Sequence, residues 1–248
     1  MVNKHPKPAS DLLIFLPTYN ERRNVAGLVS RIQALPLKAD ILFIDDNSPD
    51  GTGAVLDRLS GDGTSIHVIH RSSRQGIGSA HLRAIRFAYE QGYQTLITLD
   101  ADGTHAPEDI PRLLVEGSTG TVVVGSRFLS ASVDGRNRWQ RLQSLLAHRL
   151  TAIRFRLAYD MTNAFRLYRL DKIAPAVFSA CRSAGYGFFP DSLSLLRQAG
   201  YVISQVPVHL HPRLAGKSKK RIRDVGEWLW RPLPLRGTKE RSSGFSSP

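Results

Sequence analysis

Short apolar runs alternate with amphipathic stretches along the first half of the chain. Five runs are continuous enough for strands buried on both faces of a sheet, and four stretches between them space their apolar residues as a helix does. The strand-like runs are DLLIFLP at 11–17, ADILFIDD at 39–46, SIHVIHR at 65–71, QTLITLDAD at 94–102 and TVVVGSR at 121–127. The helix-like stretches lie at 21–35, 52–61, 76–92 and 107–117. This order predicts an α/β fold with a single doubly wound, mostly parallel sheet.

Polar residues collect at the ends of four of the predicted strands. They occupy 18–21, 45–50, 100–105 and Arg127. Because ligands bind beyond the carboxyl ends of the strands in such sheets, the four clusters predict one shared site. Asp100 and Asp102 can offer carboxylates to Mg²⁺ or Mn²⁺, although each acid by itself fits a turn equally well.

The second half of the chain is less regular and contains one long amphipathic segment. RNRWQRLQSLLAHRLTAIRFRL at 136–157 predicts a helix with one apolar face. Its members are Trp139, Leu142, Leu146, Leu150, Ile153 and Leu157. Such a face most often packs against its own domain, and we expect that here, but the many arginines leave open a helix that lies at a membrane interface. After this helix, YVISQVPVHLHPR at 201–213 alternates like a strand.

The net charge of +13 is unevenly distributed over the 248 residues. Two windows, 127–172 and 213–241, each hold ten Lys or Arg and three Asp or Glu. A basic surface suits an anionic partner such as lipid headgroups, a phosphorylated substrate or nucleic acid. No aromatic and basic recognition motif accompanies the charge, so we expect no nucleic acid partner.

Other features of the composition bear on the compartment. The single cysteine, Cys181, excludes an internal disulfide framework and favours a reduced, cytoplasmic setting. No apolar run approaches the roughly 18 residues that suggest a membrane span, and 1–11 lacks the apolar stretch of a signal peptide. We therefore expect a cytoplasmic protein.

Two Gly-containing segments are candidates for contact with phosphates. SRQGIGSAHLRA at 73–84 matches neither G-x-G-x-x-G nor the Walker A motif. Its Gly76 and Gly78 fit either a tight turn or a close backbone approach to a ligand. PRLAGKSKKR at 212–221 is a basic loop of the kind that can close over phosphates, although such loops are more often simply solvated.

Several motifs occur together in one order along the chain. They are PTYNE at 17–21, DDNSPDGT at 45–52, QGIGSA at 75–80, DADGTHAPE at 100–108 and GSR at 125–127. As a set they resemble the family-2 glycosyltransferases with the GT-A nucleotide-sugar fold. Three later motifs are similar to those of the polyprenyl- or dolichyl-phosphate mannosyltransferases: DMTNAFRLYR at 160–169, GYGFFPD at 185–191 and VPVHLHPRLAGKSK at 206–219.

The resemblance covers roughly 11–220 and implies a domain organisation and a set of site residues. We expect an N-terminal extension at 1–10, a glycosyltransferase domain at 11–235 and a disordered tail at 236–248. The implied donor-binding residues are Pro17, Tyr19, Glu21, Ile44, Asp46, Asp100, Ala101, Asp102, Arg127, Arg213 and Lys219. Among these, Asp100 and Asp102 are the implied ligands of Mg²⁺ or Mn²⁺, and Asp102, Arg127 and Arg213 are the implied catalytic residues.

The activity that the resemblance implies is inverting transfer of mannose from GDP-mannose to a polyprenyl phosphate. The chain would act peripherally on the cytoplasmic face of a membrane, with or without an anchoring partner subunit. UDP-glucose or another nucleotide sugar remains an alternative donor, and a non-catalytic nucleotide-sugar or lipid-binding relative remains an alternative function.

Three departures from the family pattern bear on these expectations. Asn163 and Ala164 stand where the family often has Ser-Gly near the acceptor phosphate. Asp191 replaces a Glu, and Thr104 stands where a longer polar residue, often Gln, is usual. Thr104 is therefore expected to reach a metal only through a water molecule.

Overall fold

The computed structural model describes residues 10–61 and 64–213. Its strands are β1 Leu12–Thr18, β2 Asp40–Asp45, β3 Ile66–His70, β4 Thr95–Thr98, β5 Val122–Ser126, β6 Val133–Asp134, β7 Arg166–Arg169, β8 Ile203–Pro207 and β9 His209–Leu210. Its helices are α1 Val25–Gln33, α2 Thr52–Leu59, α3 Ile77–Gln91, α4 Ile110–Gly117, α5 Arg138–Phe155, α6 Ala176–Ser179 and α7 Phe188–Gln198, with a 3₁₀ turn at Pro107–Asp109 before α4. All five strands and four helices predicted for the first half are confirmed.

The main sheet has seven strands in the order β3-β2-β1-β4-β7-β5-β8. Strand β7 runs antiparallel to both of its neighbours, and the other pairs are parallel. The predicted doubly wound, mostly parallel sheet is therefore confirmed, with one strand that the sequence pattern did not predict. Outside this sheet, β6 and β9 form a short parallel pair.

Strand β7 escaped prediction because its first residue is a charged side chain that is fully buried. Arg166 is fully buried, and its guanidinium donates to the carbonyls of Asn163 and Met161 and to the Ser192 hydroxyl at 2.8–3.0 Å. Buried arginines are rare unless every donor has a partner. The segment RLYR therefore lacks the continuous apolar run that identifies the other strands.

Two apolar layers cover the faces of the sheet, and the residues of β1 alternate between them. Leu13 and Phe15 pack in the layer that contains α3 and α7. Ile14 and Leu16 pack in the layer that contains α1, α2 and α4. Because both faces are covered, the strand residues are apolar in succession rather than alternating with polar ones.

The register of β1 on β2 sets the start of the polar edge. Pro17 pairs with Ile44 and Thr18 with Asp45 in parallel. The PTYNE segment therefore leaves the sheet directly beside DDNSPDGT, and the two polar clusters meet at one edge.

Helix α5 is confirmed, but the expectation that its apolar face packs against the domain is wrong for four of the six residues of that face. Trp139, Leu142, Leu146 and Ile153 are 67%, 54%, 58% and 77% exposed. The helix instead turns its smaller residues inward, and Ala147 and Thr151 are its buried positions. The period of the apolar residues predicted the helix correctly, but small residues rather than large ones determine which face packs inward. No helix in the described part of the chain is long and apolar enough to cross a membrane.

The glycines at the start of α3 allow a close approach between two segments of the chain. A Cβ on Gly78 would lie 2.5 Å from the Ser183 carbonyl oxygen and 2.6 Å from that of Gly185. Gly76 has a φ of +94°, and a Cβ there would lie 2.6 Å from the Ala184 carbonyl oxygen. The sequence left open a tight turn and a close approach to a ligand; the structure shows a close approach to the backbone of loop 183–185, which neither interpretation named.

We expect Gly78→Ala to destabilise the protein by about 1–3 kcal/mol, because the new methyl group overlaps backbone oxygens that have little freedom to move. The matched control is Gly27→Ala in α1, where a Cβ meets nothing within 4 Å. That change should stabilise the helix by about 0.5–1 kcal/mol. Urea denaturation followed by circular dichroism measures both, and equal stability of the two variants would contradict the packing described.

Candidate active site

A cavity of about 850 Å³ lies at the carboxyl ends of the strands. Ten of the eleven donor-site residues expected from the sequence line it: Pro17, Tyr19, Glu21, Ile44, Asp46, Asp100, Ala101, Asp102, Arg127 and Arg213. Thr104, Asn163 and Ala164 line it as well, whereas Asp191 is not among its lining residues. Lys219 lies outside the described residues, as do 1–9 and the predicted tail at 236–248. The polar strand ends thus converge on one cavity, and the roles of the individual residues stay predictions.

Two carboxylates and one guanidinium form the most strongly charged part of the cavity. Arg213 Nη2 lies 2.7 Å from Asp102 Oδ2, and Arg213 Nη1 lies 3.1 Å from Glu21 Oε1. Glu21 also accepts a 2.7 Å hydrogen bond from the Asn24 amide. The Glu21 and Asp102 side chains are only 5% and 12% exposed, so the attraction between these charges is weakly screened by solvent.

The last described segment of the chain is fastened so that Arg213 reaches the acids. Asp109 accepts hydrogen bonds from the backbone N–H of His209 at 2.6 Å and pairs with its imidazole at 2.9 Å. The N–H of His211 donates to the Thr104 carbonyl at 2.9 Å. Both contacts hold the segment against the Asp102 turn, and they determine the direction from which Arg213 enters the cavity.

The Asp102 turn is itself fixed by a local hydrogen bond. The Thr104 N–H donates to Asp102 Oδ1 at 2.8 Å. This is the geometry of an Asx turn, which is one reason why Asp is common in turns. Asp102 Oδ2 faces Arg213 instead. The turn is therefore present, and it uses only one of the two carboxylate oxygens, so the metal site suggested by the sequence stays a prediction.

His105 and Asn163 form a buried link behind Asp100. The Asp100 N–H donates to His105 Nδ1 at 3.0 Å, so this nitrogen is the acceptor and His105 Nε2 carries the proton that Asn163 Oδ1 accepts at 2.8 Å. The Asn163 amide then donates to the Gly125 carbonyl at 2.5 Å. This link joins the ends of β4 and β5 across the intervening β7. The Asn at 163 thus has a structural use, which the sequence did not reveal because its partners are 38 and 58 residues away.

The environment of Asp100 disfavours its negative charge. Partial removal from bulk water raises the pKa of Asp100, and the Asp102 carboxylate reinforces that rise, whereas the Arg213 charge opposes it. A third acid, Glu21, acts in the same direction as Asp102. The three carboxylates together favour any cation that enters this part of the cavity.

Arg127 directly follows β5 and is held by a buried aspartate. Arg127 Nε and Nη2 donate to the two carboxylate oxygens of Asp160 at 2.7 and 2.6 Å, and Nη2 also donates to Thr162 Oγ1. Burial by itself would raise the pKa of Asp160, but the Arg127 charge and its hydrogen bonds hold that pKa below its usual value. Asp160 thus fixes the guanidinium and leaves Nη1 for other contacts.

The remaining edge of Arg127 meets a second arginine at Ser144 on α5. Arg127 Nη1 lies 3.5 Å and Arg136 Nη1 lies 3.1 Å from the Ser144 hydroxyl oxygen. Arg136 is held in turn by a bidentate pair with Asp134. All three of Arg127, Arg136 and Ser144 line the cavity. Arg136 was not predicted as a site residue, since it is one of many arginines in its window and only the fold sets it apart.

Whether the acids suit a divalent cation depends on the donor set. Among the described residues no group of three or more His, Cys, Asp or Glu is arranged to hold a metal ion. Mg²⁺, however, is commonly bound by one or two carboxylates together with substrate phosphates. Asp102 and Asp100 supply the hard oxygen ligands for such a site, and the Arg213 guanidinium on Asp102 shows that this position accommodates positive charge. The residues present therefore fit a divalent cation shared with a diphosphate.

The chain is similar to known proteins over most of its length. A family model described as glycosyl transferase family 2 matches residues 13–174. The polyprenol monophosphomannose synthase of Mycolicibacterium smegmatis is 34% identical over 245 residues, which cover 96% of this chain and 92% of that protein. The undecaprenyl-phosphate mannosyltransferase of Micrococcus luteus is 34% identical over 221 residues, with 87% and 90% covered.

The fold is also similar to that of solved structures. The glucosyl-3-phosphoglycerate synthase of Mycobacterium tuberculosis, crystallised with Mn²⁺, UDP and glucosyl-3-phosphoglycerate, aligns with a TM-score of 0.63 at 18% identity. The alignment covers 90% of this chain and 77% of that one. This likeness confirms the predicted GT-A fold.

We expect Asp160→Asn to destabilise the protein by about 3–5 kcal/mol at neutral pH, because it leaves the Arg127 charge buried without its partner. The difference should shrink as the pH falls into the acid range, since a carboxylate with a lowered pKa stabilises the fold above its unfolded pKa of about 3.9 and loses that contribution below it.

The matched control is Asp171→Asn, which breaks an equally bidentate pair with Arg169 at the surface. That change should cost no more than about 1 kcal/mol. Thermal or urea denaturation at several pH values gives both numbers, and a similar cost for the two substitutions would contradict the role assigned to Asp160.

Proposed function

Because the chain belongs to glycosyltransferase family 2, we propose that it transfers mannose from GDP-mannose to a polyprenyl phosphate, with inversion at the anomeric carbon. One observation carries the proposal. A single cavity is lined by two groups of charged side chains, Glu21, Asp102 and Arg213 at the wall of acids, and Arg127 and Arg136 at the wall of arginines. Such a cavity suits two anionic groups, the diphosphate of a donor and the phosphate of an acceptor. The names of the two relatives supply the sugar and the lipid class.

The diphosphate of the donor belongs at the wall of acids. Asp102, with Asp100 beside it, would hold Mg²⁺ or Mn²⁺, which offsets the negative charge that develops on a departing nucleoside diphosphate. Arg213 adds a planar fork of N–H donors suited to phosphate oxygens. Lys219, outside the described residues, is proposed to join it. Removal of one donor that stabilises charge in this way typically lowers kcat by a factor of about 10²–10³.

The phosphate of the acceptor belongs at the wall of arginines. Arg127 Nη1 and Arg136 Nη1 both lie within hydrogen-bond distance of the Ser144 hydroxyl oxygen. A phosphate monoester is already an anion at neutral pH, so the attacking oxygen needs no strong general base. Catalysis then consists of positioning and charge stabilisation. Direct displacement converts an α-linked donor to a β-linked product.

The isoprenoid chain of the acceptor requires an apolar route out of the cavity. Leu146 and Leu150 of α5 line the cavity, and Leu146 is also exposed to solvent on the outer surface of the helix. Trp139, Leu142 and Ile153 extend this exposed apolar face. Arginines on the same helix suit anionic headgroups. We therefore propose that α5 docks on the cytoplasmic face of a membrane and delivers the lipid phosphate to Ser144.

The activity is tested by incubating purified protein with labelled GDP-mannose, Mg²⁺ or Mn²⁺ and a short polyprenyl phosphate. We expect a mannosyl-lipid product and at least a hundredfold lower turnover for Asp102→Asn, which loses a metal-ligand charge. The matched control is Asp57→Asn, a surface acid paired with His70 outside the cavity.

The same assay separates the alternatives. Transfer from UDP-glucose in preference to GDP-mannose would replace the donor while keeping the acceptor. Binding of GDP without turnover, with any acceptor offered, would favour a non-catalytic role. Full metal-dependent turnover by Asp102→Asn would contradict the assignment of the metal site.

Membrane docking is tested by replacing Leu142 and Ile153 together with Glu. We expect binding to vesicles of anionic phospholipid to fall at least tenfold, because the two charges oppose insertion of the apolar face and repel the headgroups. Activity on a short water-soluble polyprenyl phosphate should be retained. The control is Val115→Glu on α4, where an apolar side chain is 75% exposed on a different helix. Equal vesicle binding by both variants would contradict docking through α5.

A further inference from the structure

Arg74 stands at the rim of the cavity in the loop between β3 and α3. Its guanidinium carbon lies 4.5 Å from the centre of the Tyr19 ring, and both side chains line the cavity. The proposed reaction gives this arginine no role, and its position is remote from the wall where Arg127 and Arg136 meet.

The loop that carries Arg74 is anchored at both of its ends. Arg71 pairs with the buried carboxylate of Asp46, and its Nη1 donates to Ser79 Oγ at 2.6 Å. On the other side of the loop, the Gly76 N–H donates to Asp46 Oδ2 at 3.2 Å. Asp46 therefore holds the beginning and the end of the loop against the end of β2. The backbone position of Arg74 is set by these contacts, although its own side chain is exposed.

The order of the strands places Arg74 at the nucleoside end of the cavity. The acids that suit a diphosphate follow β4, and Asp46 follows β2, with β1 between them. Two strand spacings amount to about 10 Å, a gap that a ribose and its first phosphate bridge. A base attached to that ribose then lies over the ends of β2 and β3, where Tyr19, Ile44 and Arg74 line the cavity.

An arginine at this place can distinguish one base from another. Guanine presents two acceptors, O6 and N7, on a single edge, and the guanidinium fork matches them with two parallel hydrogen bonds. Uracil has no ring-nitrogen acceptor beside its carbonyl, so it cannot accept the same pair. We propose that Arg74 is a specificity residue that recognises the O6–N7 edge of a guanine base while its guanidinium rests on Tyr19. This inference rests on the proposed GDP-mannose donor.

The test compares the binding of three nucleotides to the full chain by calorimetry in the presence of Mn²⁺. They are GDP, UDP and 7-deaza-GDP, which differs from GDP by the loss of the N7 acceptor. The wild type should bind GDP more tightly than UDP, and 7-deaza-GDP about tenfold more weakly than GDP. Arg74→Ala should bind GDP about 10- to 100-fold more weakly, bind UDP unchanged, and no longer distinguish GDP from 7-deaza-GDP.

The matched control is Arg83→Ala, which removes the same charge from α3 at a surface pair with Glu90. It should leave all three affinities unchanged, and its melting temperature and that of Arg74→Ala should match the wild type. An equal loss of GDP and UDP affinity in Arg74→Ala would overturn the inference, since Arg74 would then contribute charge or packing on Tyr19 without reading the base. A persisting penalty for 7-deaza-GDP in that variant would overturn it as well.

The outcome also separates this inference from the function on which it rests. A wild type that prefers UDP would overturn the GDP-mannose donor and the role of Arg74 together. A wild type that prefers GDP, with a preference that survives Arg74→Ala, would keep the donor and overturn the role of Arg74 alone.

Discussion

Three carboxylates at one edge of a sheet must be balanced by positive charge, and the rest of the site is arranged around that constraint. Glu21, Asp100 and Asp102 follow strands that are neighbours in the sheet, so parallel packing brings their charges together. Arg213 bridges two of them in the described structure. Because a guanidinium is a permanent cation, Arg213 balances this edge without a metal. In the proposed reaction the arginine would find the phosphate oxygens of a diphosphate as alternative partners.

The opposite wall follows a different physical rule. There the charge is positive, and two acids hold it in place: the buried Asp160 fixes Arg127, and the partly buried Asp134 fixes Arg136. Each guanidinium is paired with its aspartate on one side, and its Nη1 on the other side is directed at Ser144. A loose arginine would lose side-chain entropy on binding a phosphate, whereas these two are ordered beforehand. The cavity thus combines one wall whose charges balance each other with another whose donors are oriented in advance.

Much of this arrangement was predictable from the sequence, and the exceptions have physical causes. Apolar runs revealed the parallel strands, since burial on both faces leaves no polar alternation, and their polar ends identified the cavity. Strand β7 was missed because it begins with Arg166, a buried charge whose donors are satisfied by the carbonyls of Asn163 and Met161, and a charged residue interrupts the apolar pattern by which buried strands are recognised. The packing of α5 was expected to follow its large apolar residues, yet Ala147 and Thr151 face inward. Links such as His105–Asn163 join distant segments, so local pattern carries no sign of them.

The bridge from Arg213 to Glu21 spans 192 positions of sequence, which has a consequence for the order of folding. A chain synthesised from its N-terminus presents Glu21 and the Asp100–Asp102 turn long before the residue that neutralises them. Until the β9 segment docks on Asp109, the emerging sheet carries a repulsive acidic edge. Docking of this segment therefore also closes the cavity, and a nascent chain stopped before it would hold the strand ends that carry the three acids without the contact that balances their charge.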